Sequence, residues 1–388
     1  MNLTYSPKQQ AFRLEVRSWL EANVPKEKLP TYDTKEGFEL HRQWERKLHA
    51  AGLSMVMWPK EFGGRGCDLT QWLIFEEEYY GSGAPLRVNL NGQLLLGSTL
   101  LEFGNQEQKE RFLPSLASSD DMWAQAWSEP NAGSDMANIS SKAILEGDHY
   151  VINGQKTWST RATYADWAFG LFRSEVGSKR HHGLSFLMVP LDAEGVTIRP
   201  IKALDGEEAF AEIFFDNVKV PVANRIGDDG QGWHVAMATA GFERGLLLRS
   251  PARFQQTVRK LVKLYRDNKA SADRDPAIGV AVAKCWADAE AYALSAYNTV
   301  GRLGRGDKIG AESSLNKVFW SEMDLLIHQT AMDILGTSGE LLTSAPLAEE
   351  RAYWLEGFLF AQAGPIYAGA NEIQRNIVAE RVLGLPRS

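Results

Sequence analysis

The periodicity of the apolar residues changes twice along the chain, and this pattern limits the possible folds most strongly. Up to about residue 120, apolar residues recur at helical spacing. Ser6, Pro7 and Gln9 form a helix start with a capping box and a first-turn proline. One face of this helix carries Phe12, Val16, Trp19 and Leu20, and further helical patterns cover His41–Leu53, Leu69–Tyr80 and Glu107–Ala117.

After Met122 the period becomes that of strands. Tyr150–Ile152 and Lys156–Trp158 flank Asn153-Gly154, a dipeptide that favours a two-residue hairpin turn, so we expect a hairpin there. Further strand candidates are Trp167–Phe172, Leu184–Val189, Val196–Ile201 and Ala211–Val220. The segment is therefore predicted to be a β domain.

From Gly232 the helical period returns, in segments of roughly 233–265, 277–304, 309–335 and 370–383. Long amphipathic helices with short connections indicate a four-helix bundle. The predicted fold class is α+β and multidomain: an N-terminal all-α domain (1–120), a middle antiparallel β domain (121–228) and a C-terminal four-helix bundle (229–388).

Composition excludes several classes of function. The net charge is −7 without a basic run, which argues against nucleic-acid binding. Two isolated cysteines, Cys67 and Cys285, form neither a metal-binding spacing nor a disulfide framework, so no metal site is expected. We find no signal peptide and no apolar run long enough to span a bilayer. A cytoplasmic protein without membrane contact is predicted.

Two motifs in the β region together suit a flat heteroaromatic ligand. Ala124–Asp135 reads Ala-Gln-Ala-Trp-Ser-Glu-Pro-Asn-Ala-Gly-Ser-Asp and offers backbone donors and small hydroxyls in a glycine-containing turn. Trp158 and Thr160 lie two residues apart, so on a strand both point to one side. An indole could then cover such a ring while hydroxyls bind its edge.

These motifs resemble the flavin-contacting segments of acyl-CoA dehydrogenases, Thr-Glu-Pro-x-Ala-Gly-Ser-Asp and Trp-x-Thr. The resemblance extends from Trp58–Gly64 to Gly369–Arg375 and Ala379–Pro386. It implies FAD as the cofactor, with Ser128 at the pyrimidine edge, Trp158 on one flavin face and Thr160 at N5. The FAD-binding residues it implies are Gln125, Ala126, Ser128, Trp158, Thr160, Gly336, Asn371 and Glu372. The substrate-binding residues it implies are Ser134, Arg244, Tyr367 and Gly369.

The catalytic base has moved relative to many members of that family. Where those members carry Tyr-Glu-Gly-Thr, this chain reads Tyr367-Ala-Gly-Ala370, and Ala368 cannot remove a proton. Other members carry the base in a Glu-Arg pair on the first long bundle helix, which Glu243 and Arg244 match. Apolar neighbours at helical spacing predict that Glu243 is buried. Burial would raise the pKa of its carboxyl toward the working range of a general base. The Ala368 backbone N–H is expected to keep holding the thioester oxygen.

The implied reaction is α,β-dehydrogenation of an acyl-CoA to a trans-2-enoyl-CoA, with electrons passed to an electron-transfer flavoprotein. The alternatives are an acyl-CoA oxidase or flavin monooxygenase relative, and a non-catalytic subunit of a heteromeric dehydrogenase. A homotetramer is expected. The segments Arg274–Gly279 and Asp333–Gly339 depart from family motifs that border FAD across a subunit interface, so a heterotetramer with a related chain is the alternative.

Two residues near the motifs carry open alternatives. Arg161 follows Thr160, where a cation could favour an anionic acyl chain; the alternative is a residue that points to solvent or pairs with Asp166. Trp127 stands where the family usually has a smaller aliphatic residue, and packing between domains is the favoured interpretation over crowding of the flavin or the substrate. The acyl group is not specified by these residues, although the resemblance is closest to bacterial members that act on dicarboxylic, cyclic or steroid-derived chains.

Overall fold

The computed structural model describes residues 4–244, 249–268, 275–307, 309–341, 345 and 349–386. The chain forms two compact units that interleave along the sequence. The first contains residues up to Val24, Leu69–Ala84, and the chain from Arg244 onward. The second contains Pro25–Asp68 and Pro85–Glu243. The helices of the first 120 residues are thus divided between the two units, and the predicted limits of three domains stay a prediction.

The first unit is helical. It contains α1 (Pro7–Asn23), α3 (Leu69–Gly81), α7 (Pro251–Asp267), α8 (Pro276–Gly304), α9 (Ser313–Leu335), α10 (Glu349–Ala361) and α11 (Asn371–Ile377), which continues as a π-helical turn over Val378–Val382. The predicted capping box of α1 is confirmed, because the Gln9 N–H donates to Ser6 Oγ and the Ser6 N–H donates to Gln9 Oε1. Ion pairs from Arg13 and Arg17 to Glu77 and Glu78 join α1 to α3.

The bundle core lies where α7, α8, α9 and α10 face one another. Phe254, Cys285, Ile327 and Trp354 represent the four helices in this buried cluster. The sequence pattern missed α10 and joined α6 (Gly232–Arg244) to α7 in one predicted helix. The structure ends α6 at Arg244 and begins α7 at Pro251, and residues 245–248 lie outside the described residues.

The second unit combines helices with the sheet. Its helices are α2 (Lys35–Ala50), α4 (Gly97–Phe103), α5 (Gln106–Ser118) and α6 (Gly232–Arg244), of which the last residue belongs to the first unit. Its strands are β1 (Trp123–Ala126), β2 (Lys142–Glu146), β3 (His149–Thr160), β4 (Trp167–Arg173), β5 (Leu184–Pro190), β6 (Val196–Ile201), β7 (Phe210–Pro221) and β8 (Arg225–Ile226). No helix in the described ranges is long and apolar enough to cross a membrane.

The strands form one sheet in the order β6-β7-β3-β2-β4-β5-β8, and β1 pairs with β4. Most neighbours are antiparallel, whereas β1 and the start of β2 pair with β4 in parallel. The core of the sheet is apolar and fully buried at Tyr150, Ile152, Phe172 and Val218. The predicted α+β fold class, with helical, β and helical-bundle regions, is confirmed.

The hairpin predicted at Asn153-Gly154 is wrong. Strand β3 runs straight through this dipeptide, and its pairing with β7 only shifts register there. Glycine is required for a different reason, because a Cβ on Gly154 would lie 2.3 Å from Ser141 Oγ. The hairpin lies earlier, where Glu146 of β2 pairs with His149 of β3 and Gly147 has a φ of 65°.

Candidate functional site

The first candidate region is the turn that follows β1. Gln125 and Ala126 pair with Phe169 and Gly170 of β4, which fixes where the chain leaves the sheet. Trp127 comes next and is buried, with its ring edge-on to Phe186 at a centroid distance of 6.3 Å. Trp127 therefore packs against the sheet within the second unit, and its packing between domains stays a prediction.

A buried ion pair fastens this turn to β3. The ammonium of Lys156 is fully buried and donates to Glu129 Oε1 at 2.9 Å, to the Trp127 carbonyl at 3.2 Å and to the Leu171 carbonyl at 2.7 Å. The Glu129 carboxylate also accepts hydrogen bonds from the N–H groups of Ser140 and Ser141 and from Ser140 Oγ. The Glu129 carboxylate, near the start of the 128–141 loop, therefore binds both the end of that loop and the Lys156 ammonium of β3.

Burial and the partner charge act in opposite directions on the pKa of each member of the pair. Burial raises the pKa of the Glu129 carboxyl, but the Lys156 ammonium and the serine donors outweigh burial and bring that pKa below its usual range. Burial lowers the pKa of the Lys156 ammonium, and Glu129 opposes that shift. The remaining lysine contact is the Phe172 ring, 4.8 Å from Nζ.

Beside this turn, β3 bulges and presents Trp158. The register with β7 shifts between Lys156 and Ser159, and Trp158 has a left-handed φ of 59°. Its indole is 59% exposed, whereas Thr157 and Ser159 on either side are buried. The Thr157 N–H donates to the Ser128 carbonyl at 2.9 Å, so the Trp158 bulge and the Ser128 turn lie next to each other.

The remaining candidates of this region are less constrained. Thr160 is half-buried and pairs with Phe210 at the end of β3. Ser134 is exposed on the turn, and its neighbour Asp135 forms a loose surface ion pair with Arg180 at 3.6 Å.

Arg161 is held by the segment before α2. Its guanidinium Nε donates to Asp33 Oδ1 at 3.2 Å and lies over the Tyr32 ring, 4.1 Å from the centroid. Burial raises the pKa of the Asp33 carboxyl above its usual range, although Arg161 opposes that rise. Asp166 instead pairs with Arg42. The prediction that Arg161 points to solvent or pairs with Asp166 is therefore wrong.

The second candidate region is the turn before α11, in the first unit. Ala368 has a left-handed φ of 56° and Gly369 a φ of 78°. The N–H groups of Tyr367 and Asn371 donate to the carbonyls of Ala363 and Pro365. The Ala368 N–H, by contrast, has no acceptor among the described residues. It is thus available to a ligand oxygen.

Left-handed backbone concentrates at these places. Six non-glycine residues of the described chain have positive φ, and three of them are Trp158, Arg161 and Ala368. The conformation costs an L-residue about 1–2 kcal/mol, so surrounding contacts must enforce it. Such strain indicates a constrained site.

The other candidates of the first unit have different surroundings. The Tyr367 hydroxyl accepts a hydrogen bond from Arg249 Nη2 at 2.9 Å, and Asn371 is buried. Gly336 is exposed at the end of α9, and Glu372 is exposed beside Arg375. The structure therefore brings Tyr367, Gly369 and Asn371 into one turn.

The proposed base lies at the end of α6. Its backbone is helical, and Ala236 and Ala240 on the same helix are buried. The side chains of Glu243 and Arg244 lie outside the described residues. Their roles stay a prediction.

Four residues with a clear part in these regions were missed from the sequence. They are Glu129, Lys156, Lys317 and Gln374, all buried. Lys317 offered one signal, since it lies on the same helical stripe as Trp320 and Ser321. Glu129 and Lys156 are 27 residues apart, so local pattern gives no signal for their pairing. Gln374 contacts carbonyls only five and six residues before it, but the turn that brings them together has no sequence signature that we recognised.

Models of three acyl-CoA dehydrogenase domains match the chain. The N-terminal domain matches residues 6–120, the middle domain residues 124–218 and the C-terminal domain residues 230–383. The chain belongs to the acyl-CoA dehydrogenase family. The predicted oxidoreductase class, an acyl-CoA dehydrogenase, is confirmed.

Curated members of the acyl-CoA dehydrogenase family match along almost their whole length. Acyl-CoA dehydrogenase IpdE1 of Mycolicibacterium smegmatis is 41% identical, over 97% of this chain and 98% of the relative. Acyl-CoA dehydrogenase FadE26 of Mycobacterium tuberculosis is 31% identical over the full length of both chains.

Solved structures of the family superpose closely. The steroid acyl-CoA dehydrogenase Tcur3481–Tcur3483 is 27% identical with a TM-score of 0.87. The ChsE4–ChsE5 complex from Mycobacterium tuberculosis is 30% identical with a TM-score of 0.86. Both comparisons cover 100% of each chain.

Proposed function

We propose that this acyl-CoA dehydrogenase binds FAD and converts an acyl-CoA to a trans-2-enoyl-CoA, with Glu243 as the base. The observation that carries the proposal is the Ala368 turn. It lacks a carboxylate but offers an N–H that has no acceptor in the part of the chain that the structure describes, in a strained, left-handed conformation. A carboxylate from elsewhere is therefore needed to remove the α proton, and Glu243 matches the family's other position for the base.

The residues present fit a flavin. Trp158 offers an exposed indole face, which an isoalloxazine ring would cover, on a bulge that the 128–141 loop adjoins. Ser128 and Thr160 would bind the edge of that ring, with backbone of Gln125 and Ala126 beside them. When bound, FAD supplies the acceptor for the β hydride, which no side chain can be.

The chain's own residues divide the remaining work. The Ala368 N–H would donate to the thioester oxygen, where negative charge develops as the α proton leaves. Glu243 would take that proton, so it must come within hydrogen-bond reach of it once substrate binds. Tyr367 and Gly369 flank the donor, Ser134 is assigned to the CoA portion of the substrate, and Arg244 is assigned to substrate binding beside Glu243.

For the substrate we propose a bulky acyl chain of steroid origin. The Tcur3481–Tcur3483 enzyme, which shares the fold over the full length, is named as a steroid acyl-CoA dehydrogenase. Arg161 gives no support to a dicarboxylic substrate, because Asp33 and Tyr32 already engage its guanidinium.

For the assembly we propose a tetramer that passes electrons to an electron-transfer flavoprotein. A homotetramer is the simpler form. The two solved structures named above each pair two different chains, which favours the heterotetramer as the form to test first. Gly336, Asn371 and Glu372 are then assigned to FAD, and the altered segment Asp333–Gly339 would meet it across an interface.

The test is anaerobic flavin reduction with four CoA thioesters: butanoyl, octanoyl, glutaryl and a steroid acid with a three-carbon side chain. We expect the steroid thioester to reduce the wild-type flavin fastest. Glu243→Gln should keep FAD but lose about 10²–10⁴-fold in single-turnover rate. Glu102→Gln, an exposed carboxylate on α4, is the matched control and should keep the wild-type rate.

Three outcomes would contradict the proposal. A folded protein that takes up no added FAD refutes the cofactor assignment. A wild-type flavin that none of the four thioesters reduces refutes the reaction. Glu243→Gln at the wild-type rate refutes the base, whereas partial recovery in Glu243→Gln with Ala368→Glu would support two base positions that serve one carbon.

A further inference from the structure

The turn Gly364–Asn371 is fixed by buried polar side chains from two helices. Lys317 and Ser321 come from α9, and Gln374 comes from α11. Each of the three residues is at most 1% exposed. Because buried polar groups are costly unless they make hydrogen bonds, their partners show what they hold.

Lys317 joins the two ends of the turn. Its ammonium donates to the Gly364 carbonyl and to Asn371 Oδ1, each at 2.8 Å. Ser321 Oγ donates to the same Asn371 oxygen at 3.1 Å. The Asn371 N–H closes the loop with the Pro365 carbonyl at 2.8 Å. The separation between residues 364 and 371 is therefore set from within the bundle.

Gln374 fixes the middle of the turn. Its Nε2 donates to the carbonyls of Ala368 and Gly369 at 3.3 and 3.2 Å. Each peptide unit is planar, so holding the Ala368 carbonyl orients the peptide plane that follows this residue. The Tyr367 N–H is anchored on the Ala363 carbonyl at 3.0 Å. The Tyr367 N–H lies in the peptide plane before the one that carries the Ala368 N–H, so these two hydrogen bonds bracket Ala368 and support its left-handed φ of 56°. Within the described residues the Ala368 N–H has no acceptor.

The tightness of this contact explains the glycine at 369. A Cβ there would lie 2.4 Å from Gln374 Nε2, and Gly369 itself has a φ of 78°. An alanine at this position would therefore displace the amide that holds the turn.

We propose that Lys317 and Gln374 are positioning residues for the thioester carbonyl, because they hold the turn in which the Ala368 N–H can donate to it. The inference rests on the proposed dehydrogenation. It adds that a buried lysine and a buried glutamine hold the Ala368 N–H in position without themselves taking part in the reaction.

The experiment compares Gln374→Met with Gln362→Met in the FAD-loaded protein. Gln362 is a matched control, since its exposed amide also donates to a backbone carbonyl, that of Phe358 at 3.3 Å. A misplaced reacting group costs about 10²-fold, so we expect roughly that loss in single-turnover flavin reduction for Gln374→Met. Thioester affinity should change less than about threefold, because uniform binding contacts are untouched.

A direct readout is the infrared frequency of a bound thioester carbonyl. The probe is the enoyl product of the fastest of the four thioesters, labelled with ¹³C at the carbonyl. Gln374→Met should shift that band toward the frequency of a thioester carbonyl in an aprotic solvent, where it accepts no hydrogen bond. Gln362→Met should leave the band at the wild-type position. Hydrogen exchange at Tyr367 and Asn371, measured without FAD, should accelerate in Gln374→Met alone.

Gly369→Ala, which attacks the same contact from the other side, serves if Gln374→Met does not fold. Its carbonyl band should shift in the same direction. A wild-type flavin that no thioester reduces would overturn the proposed function. A reducible wild type with Gln374→Met matching Gln362→Met in both rate and carbonyl frequency would overturn only the positioning role of Gln374, and the same result for Lys317→Met would overturn that of Lys317.

Discussion

Replacing Glu129 by glutamine would leave a buried ammonium without its carboxylate. Lys156 Nζ has three acceptors, and Glu129 supplies the only negative charge among them. Glutamine keeps the shape of the side chain and one carbonyl acceptor. The variant therefore keeps the packing but removes the charge and one of the two acceptor oxygens, both of which accept hydrogen bonds in the wild type.

The size of the effect follows from burial. The Lys156 side chain is 0% exposed and that of Glu129 is 4% exposed. Breaking such a pair by removing one partner costs about 3–5 kcal/mol. The carbonyls of Trp127 and Leu171 still accept from the ammonium, so the lower end, about 3 kcal/mol, applies. At about 2 °C per kcal/mol for a large domain, Tm should fall by roughly 6 °C.

The pH dependence has a definite sign. Since the pKa of Glu129 is lowered in the folded protein, its contribution is complete above the pKa of an unfolded glutamate, about 4.3. It is lost as the pH falls through the lower folded pKa. The Tm difference between wild type and Glu129→Gln should therefore be constant near neutrality and shrink below about pH 4.

The assay is thermal unfolding of FAD-free protein, with Asp135→Asn as the control. Asp135 lies in the same loop, but its ion pair with Arg180 is 3.6 Å long and more than half exposed. An exposed pair is worth about 0–1 kcal/mol, so this variant should stay close to wild type. A Tm for Glu129→Gln within about 1 °C of that for Asp135→Asn would show that the buried Lys156–Glu129 pair does not stabilise the turn.

Two other changes separate stability from cofactor binding. Trp158→Ala should leave the Tm of FAD-free protein within about 2 °C, because the indole is exposed, while fluorescence titration shows weaker FAD binding; unchanged FAD affinity would refute its place on the flavin. Arg161→Ala should destabilise the protein by about 1–3 kcal/mol in chemical unfolding, because Asp33 then stays buried without its donor. The ratio of rates on octanoyl and glutaryl thioesters should stay at the wild-type value, and a fall confined to glutaryl-CoA would restore the substrate role.

The fold was largely predictable because apolar period and caps are local signals. The start of α1 and the limits of the β region follow from such signals. The hairpin was misplaced because Asn153-Gly154 has turn propensity, while a close approach to Ser141 is the actual reason for its glycine. The position of Gly154 in the sheet depends on β7, which is far away in sequence.

The candidate site was predictable only in part. Ser128, Trp158 and Ala368 could be located from motifs and their resemblance. The buried supports could not, because Lys156 and Lys317 differ from surface lysines only through partners that tertiary structure brings to them. A sequence alone reveals the groups that face a ligand more readily than the groups that hold them.

The pairing of β1 with β4 and of β3 with β7 constrains how the chain acquires its site during synthesis. Trp123 pairs with Trp167, and His149 pairs with Pro221, so both contacts close long loops. Such contacts form late, since loop closure must precede any stabilisation that they provide. A ribosome that has released the chain only as far as Thr160 has exposed every residue of the Trp158 bulge but not the strand against which it bulges. The bulge therefore acquires its pairing residues, Phe210 to Ile213, only after they have emerged.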